Sequence, residues 1–319
     1  RRSKPSGGAE MTTRALLTID TELRWDWRDS SWQENLALSF DPAGVGVGHQ
    51  LERLAAHGLK ACFFVDPMPA LVYGIEPIRR IVEPILAAGQ EVQLHIHPSW
   101  ADPVHPVFEL TGLDRQTQVD LIRTARDLLI DAGAPPPIAF RSGSYAADLA
   151  TLHALASLGI RYDSSHNGSH HPWPSALPLD PRLTAPVQVE GVVEIPVTHI
   201  EQRRGRLRHL QICAVSFDEM RAALIHAARN GHPAVTLVGH SFELAVRGGN
   251  KANPVLVRRF EKLCAFLAAE RERMPTAFFS DLADLPLDAE ATPLRTGAIR
   301  TAARMAEQLW ANAVHERTL

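Results

Sequence analysis

The sequence predicts a β/α barrel, and three observations carry that prediction. Short apolar runs rich in Leu, Val, Ile and Phe recur along the chain, and amphipathic segments of helical period lie between them. The residues that end the runs are acids, imidazoles and one arginine, the residue types of a working rim. Near-continuous hydrophobicity suits strands of a parallel sheet covered on both faces. Strand–helix alternation repeated over seven or eight strands favours a barrel over an open sheet.

The expected strands are residues 15–20, 60–66, 91–97, 138–141, 160–163, 192–197 and 234–239, with a weaker run at 276–279. The expected helices are 47–57, 75–88, 115–132, 149–158, 217–230 and 254–272. Gly58, Gly89 and Gly133 stand where helix ends want a left-handed residue. Ser216 with Glu219 has capping-box form. Two stretches break the alternation and read as long loops: 25–46, polar and aromatic, and 167–186, rich in Pro, His and Ser.

The organisation expected is a disordered leader over residues 1–13, one barrel domain over 14–288, and a helical accessory tail over 289–319. The leader precedes Met11 and lacks an apolar core, so it reads as no signal peptide, and the expected location is cytoplasmic. With 319 residues, 45% apolar, 22% charged and a net charge of −3, the chain has an ordinary globular composition. That balance argues against nucleic acid as a partner; the short run Arg203, Arg204, Arg206 and Arg208 reads as a solvated loop. No run approaches the roughly 18 apolar residues of a membrane span. Cys62, Cys213 and Cys264 are unpaired by spacing and read as incidental thiols.

The strand-end rule selects the candidate site. Asp20 and Glu22, two apart in an extended segment, share a face, as do His95 and His97. Two neutral imidazoles with a carboxylate make a divalent-metal site that keeps positions open for water and substrate. Arg141 leaves a hydrophobic run into Ser-Gly-Ser and needs a carboxylate partner, with Asp20 the natural one. Asp163 ends another run and is expected to orient Arg141 or a loop. His240 ends the run 234–239 and suits a general acid that protonates a leaving amine. Each has a plainer reading as well: solvated strand-exit acids, a core histidine bonded to backbone, an arginine that stabilises the rim.

In this order the blocks resemble the polysaccharide deacetylase family, carbohydrate esterase family 4, with its NodB-homology domain. The carrying segments are Thr18-Ile19-Asp20-Thr21-Glu22, HGLKACFFVD, GQEVQLHIHPSW, FRSGSY, LVGHSF and TAFFSDLADL, from about Arg14 to Leu285. The resemblance implies an irregular (β/α)7 barrel and a divalent metal, Zn2+ the first expectation. It further implies hydrolysis of an N-acetyl or O-acetyl group of a carbohydrate or related small substrate. By position it makes Asp20 the general base, oriented by Arg141, and His240 the general acid, acting on water activated at the metal. The family's second aspartate falls on Thr21 and its second histidine on Ser99, so Glu22 and His97 are expected to join His95 as ligands. Substrate contacts are expected from Tyr145, Trp100, Trp25 and Asp163, with Trp27, Trp32 and Trp173 as further aromatic surface for sugar rings. Two other readings stand beside this one: another metal-dependent amidohydrolase acting on C–N bonds, and a non-catalytic carbohydrate-binding relative. Retention of an acid, an arginine and a histidine together favours the enzyme.

Overall fold

The computed structural model describes residues 12–25 and 28–314, without side chains beyond Leu309. Most of the expected leader (1–11), Trp27 and the last five residues of the tail lie outside the described residues. In chain order the elements are β1 (Arg14–Thr21), α1 (Trp32–Ser39), α2 (Val47–His57), β2 (Cys62–Val65), α3 (Ala70–Tyr73), α4 (Glu76–Ala87) and β3 (Glu91–Ile96). There follow α5 (Arg115–Asp131), β4 (Ala139–Ser142), α6 (Leu149–Ser157), β5 (Tyr162–Asp163), β6 (Val187–Val189), β7 (Val192–Glu194), β8 (His199–Glu201) and β9 (Leu207–His209). The chain continues with α7 (Phe217–Arg229), β10 (Ala234–His240), α8 (Pro254–Ala269), β11 (Leu294–Arg295) and α9 (Ala298–Val314).

Every apolar run except 276–279 became a strand, and each amphipathic segment became a helix. Ser31 and Ser216 each close a capping box, with Glu34 and Glu219 respectively. The first of these corrects the expectation for 25–46: α1 interrupts that loop, and its signal, Ser31 three residues before Glu34, is present in the sequence. The run 276–279 contributes a single parallel bridge, Ala15 to Thr276, and no strand.

The main sheet runs β10-β1-β2-β3-β4-β5-β7-β6, parallel except for the β6–β7 edge. It is a curled sheet in a mixed α/β fold. Among the described residues its strand ladder does not close on itself as a regular barrel would. Irregular chain lies along the free edge of β10 instead: Thr198 N donates to Thr236 O (3.3 Å), Val238 N to Leu210 O (2.9 Å) and Ile212 N to Val238 O (3.0 Å). β8, β9 and β11 form a separate small sheet, and α9 docks through Arg259–Glu307 (2.6 Å) and Arg304–Glu219 (3.2 Å). The tail therefore packs on the body of the protein.

Strand parity sorts the side chains into two layers. One set faces the surrounding helices and forms the larger core, with Leu17, Ile19, Phe63, Val65, Leu94 and Phe140 in it. The other faces the hollow of the sheet. Its floor is apolar, built from Leu16, Cys62, Phe64, Ala139, Tyr162 and Phe279. Above that floor, at the carboxyl ends of the strands, the same face turns polar. No helix of the described residues is long and apolar enough to cross a membrane.

Candidate functional site

Register brings the polar rim together. Asp20 pairs with His240 across β1–β10, and His95 pairs with Arg141 across β3–β4. Arg141 is fully buried, and its Nη1 donates to Asp20 Oδ1 (2.7 Å) and to Thr18 Oγ1 (2.8 Å). Nε and Nη2 donate to the Ser164 carbonyl and hydroxyl, each at 3.0 Å, and the guanidinium lies 4.5 Å from the Phe64 ring centroid. A guanidinium so deep is tolerable only because its donors are met and a carboxylate balances its charge. Asp20 Oδ2 stays free of that pair and faces His240 Nε2 at 4.0 Å.

Glu22, His95 and His97 offer ligand atoms that all lie within 4.8 Å of one another. His95 Nδ1 lies 2.8 Å from the Arg141 carbonyl, so that nitrogen carries the proton and Nε2 keeps its lone pair toward Glu22 Oε2, 3.4 Å away. His97 meets the same carboxylate oxygen through its Nε2. Gly143 makes room for that ring: a Cβ there would fall 2.5 to 2.7 Å from the His97 imidazole atoms. Burial works to raise Glu22, yet the two imidazoles hold it well below the usual carboxylate range. Burial works to lower His97, yet Glu22, Asp66 and Asp20 push it up to about 9. The negative charges of Glu22, Asp66 and Asp20 around the half-buried His97 ring suit the pocket to a cation. The donor set fits a divalent cation such as zinc.

Two partners of His240 were not found from sequence. Glu243 Oε2 accepts the His240 backbone N–H (2.9 Å) and lies 3.7 Å from His240 Nδ1. Its Oε1 accepts from Cys213 N (2.8 Å) and from Gln211 Nε2 (3.1 Å). Gln211 Nε2 also approaches His240 Nδ1 (3.2 Å), and Gln211 Oε1 contacts His209 Nε2 (2.7 Å). Burial alone would lower His240, but Glu243, then Asp20 and Glu22, raise it to about 9, so the ring is charged at neutral pH. Glu243 lies three residues past the end of an apolar run, a signal that could have been read. Gln211 comes from irregular chain with no pattern to betray it.

Asp66 was also missed, although it ends an apolar run as Asp20 does. It is fully buried; Oδ1 accepts the Met68 N–H (3.0 Å), and Oδ2 has no hydrogen-bond partner among the described residues. Burial raises its carboxyl to about 6 against the pull of His97 and His95.

Tyr145 sits in the left-handed region at φ 60°, with its ring 5.5 Å from His170 and 5.9 Å from His209. Its hydroxyl is buried without a hydrogen-bond partner among the described residues, and burial raises its pKa. A cavity of about 840 Å3 opens beside Glu243, lined also by Arg24, Cys213, Phe242, Val246 and Arg247.

Two expected substrate contacts need correction. Trp100 is only 1% exposed, packed in the core against Trp25 (4.8 Å between ring centroids) and Tyr73 (5.9 Å), so it has no open face for a sugar. Asp163 pairs in register with Phe140 and Glu194 and faces away from the hollow. It is buried against Ser165 (2.6 Å) and beside Glu194; burial raises both carboxyls. Arg141 is served by Ser164, one residue on and therefore on the opposite face. Trp25 is half-buried against Trp100 and Phe108; Trp173 is 57% exposed.

No family model matches the chain. Its fold is shared with a candidate polysaccharide deacetylase from Mycobacterium smegmatis, at 20% identity and a TM-score of 0.59 over 92% of this chain and 99% of that one. A 4-alpha-glucanotransferase from Thermococcus litoralis matches at 11% identity and a TM-score of 0.52, over 86% of this chain and 42% of that one. The family 4 carbohydrate esterase from Streptomyces lividans matches more distantly, at 13% identity and a TM-score of 0.43 over 89% of this chain and all of that one. In sequence, a tRNA U34 carboxymethyltransferase from Shewanella piezotolerans is 29% identical over 132 residues. That stretch spans 37% of this chain and 37% of the relative, little more than a third of its length.

Proposed function

We propose that this chain is a divergent member of the polysaccharide deacetylase family, a metal-dependent hydrolase that removes an acetyl group from a carbohydrate or related small substrate. The observation that carries the reading is the convergence of a Glu22–His95–His97 donor set with a buried Asp20–Arg141 pair and with His240 facing Asp20. A β/α-type hollow whose carboxyl-end rim holds an acid, a base and a cation site is suited to acyl hydrolysis.

Glu22, His95 and His97 would hold the ion. When bound, a divalent cation supplies Lewis-acid polarisation of the acyl carbonyl and makes water a better nucleophile near neutral pH. Asp20, held by Arg141 through Oδ1, keeps Oδ2 free to take the proton of the attacking water. His240, kept charged by Glu243, protonates the departing nitrogen or oxygen. The Arg141 contact to Asp20 fixes the base in place. The cavity beside Glu243 is where the rest of the substrate would lie.

The test is elemental analysis of the purified chain and of His95→Ala and His97→Ala, joined to an acetate-release screen on N-acetylated and O-acetylated sugars. Near-stoichiometric divalent metal in the wild type, lost in both variants, with acetate release abolished by Asp20→Asn, is the expected result. A wild type that takes up no ion after reconstitution overturns the reading in favour of a non-catalytic carbohydrate binder.

A further inference from the structure

We propose that Asp66 is a second carboxylate of the cation site, placed to balance the charge of a divalent ion held by Glu22, His95 and His97. The inference rests on the reading of those three residues as a cation site. It begins from register. Thr21 pairs with Val65, and Val65 with Leu94, so the next rung across three strands is Glu22, Asp66 and His95. The Asp66 N–H donates to the Thr21 carbonyl (3.0 Å), which continues the ladder to that rung. Parity then gives Asp66 the face of Phe64, and Phe64 lines the floor of the hollow. Asp66 therefore stands between two members of the donor set, on their face.

Its local role explains only half of its side chain. Oδ1 accepts the Met68 N–H and closes the turn after β2. Oδ2 is buried and has no hydrogen-bond partner among the described residues. A buried carboxylate oxygen left unmatched is costly, and the positive charge of a nearby cation would offset that cost. One carboxylate with two neutral imidazoles leaves a divalent ion with a net charge of +1; a second carboxylate brings the site to neutrality. Serine or asparagine at this position would close the turn equally well, so the turn does not require an acid.

Asp66→Asn isolates the charge, because the amide oxygen can still accept the Met68 N–H. The experiment measures Zn2+ and Co2+ dissociation constants by chelator competition on the full chain, with thermal unfolding of metal-free and loaded protein. The expected result is a dissociation constant raised roughly 10- to 100-fold in Asp66→Asn, with metal-free Tm equal to or above wild type. Asp66→Ser, which also retains a turn acceptor, should weaken binding to the same extent. Wild-type affinity in both variants overturns the inference and leaves the three-residue site standing, as does a lowered metal-free Tm with unchanged affinity. Absence of ion binding by the wild type itself overturns the underlying reading instead.

Discussion

Replacing Glu243 by Gln is expected to move the titration of His240 down from about 9 toward its ordinary 6.5. Burial acts to lower the ring, and among the groups that raise it Glu243 comes first, ahead of Asp20 and Glu22. The interval from 6.5 to about 9 corresponds to roughly 3 kcal/mol favouring the charged ring, at about 1.4 kcal/mol per pH unit. The sign follows from linkage. Because the folded value lies above the unfolded one, the stabilisation is complete below about 6.5 and is lost as pH rises through about 9. The variant should therefore lose stability relative to wild type below pH 9, and the alkaline limb of any activity should move to lower pH, because His240 then loses its proton earlier as pH rises. The introduced amide oxygen can still accept one of the N–H groups of Cys213 and His240, and the acceptor that is lost costs about 1–3 kcal/mol on its own. The decisive readout is therefore the imidazole itself, followed by NMR between pH 5 and 10 in wild type and variant. A His240 that still titrates near 9 without Glu243 would refute the assignment of Glu243 as the group that holds the acid charged.

Two further outcomes follow from the same geometry. Gly143→Ala places a Cβ where the His97 ring now lies, so the ring must turn away from Glu22, and chelator competition should show weakened metal binding. Glu194→Gln should flatten the loss of stability with rising pH. Burial raises Glu194, and the Asp163 charge adds to it, so the folded state keeps a proton that the unfolded chain releases above about 4.3. Across that window wild-type stability falls by up to about 1.4 kcal/mol per pH unit, and the difference between urea titrations at pH 5 and pH 8 should shrink in the variant.

Much of this was legible in residue order, because a parallel strand covered on both faces must be apolar until it ends. The end of each run then delivers a polar side chain to one rim, and Asp20, Glu22, His95, His97, Arg141 and His240 were all read as candidates that way. Helix limits were legible for a local reason: caps such as Ser216 with Glu219 are made within one turn. Packing decided the rest. Asp163 and Ser164 differ by one position, and only the pairing of β5 with β4 tells which of them faces Arg141. Trp100 sits in a segment as polar and aromatic as a sugar platform, yet its ring is covered by Trp25 and Tyr73 from distant parts of the chain. Gln211 reaches His240 from irregular chain along the edge of β10, with no periodicity to announce it. Periodicity is a property of neighbours along the chain and survives in the sequence. Which face is covered, which carboxylate is left without a partner, and which ring is charged depend on residues brought together across the fold, and only the tertiary structure supplies them.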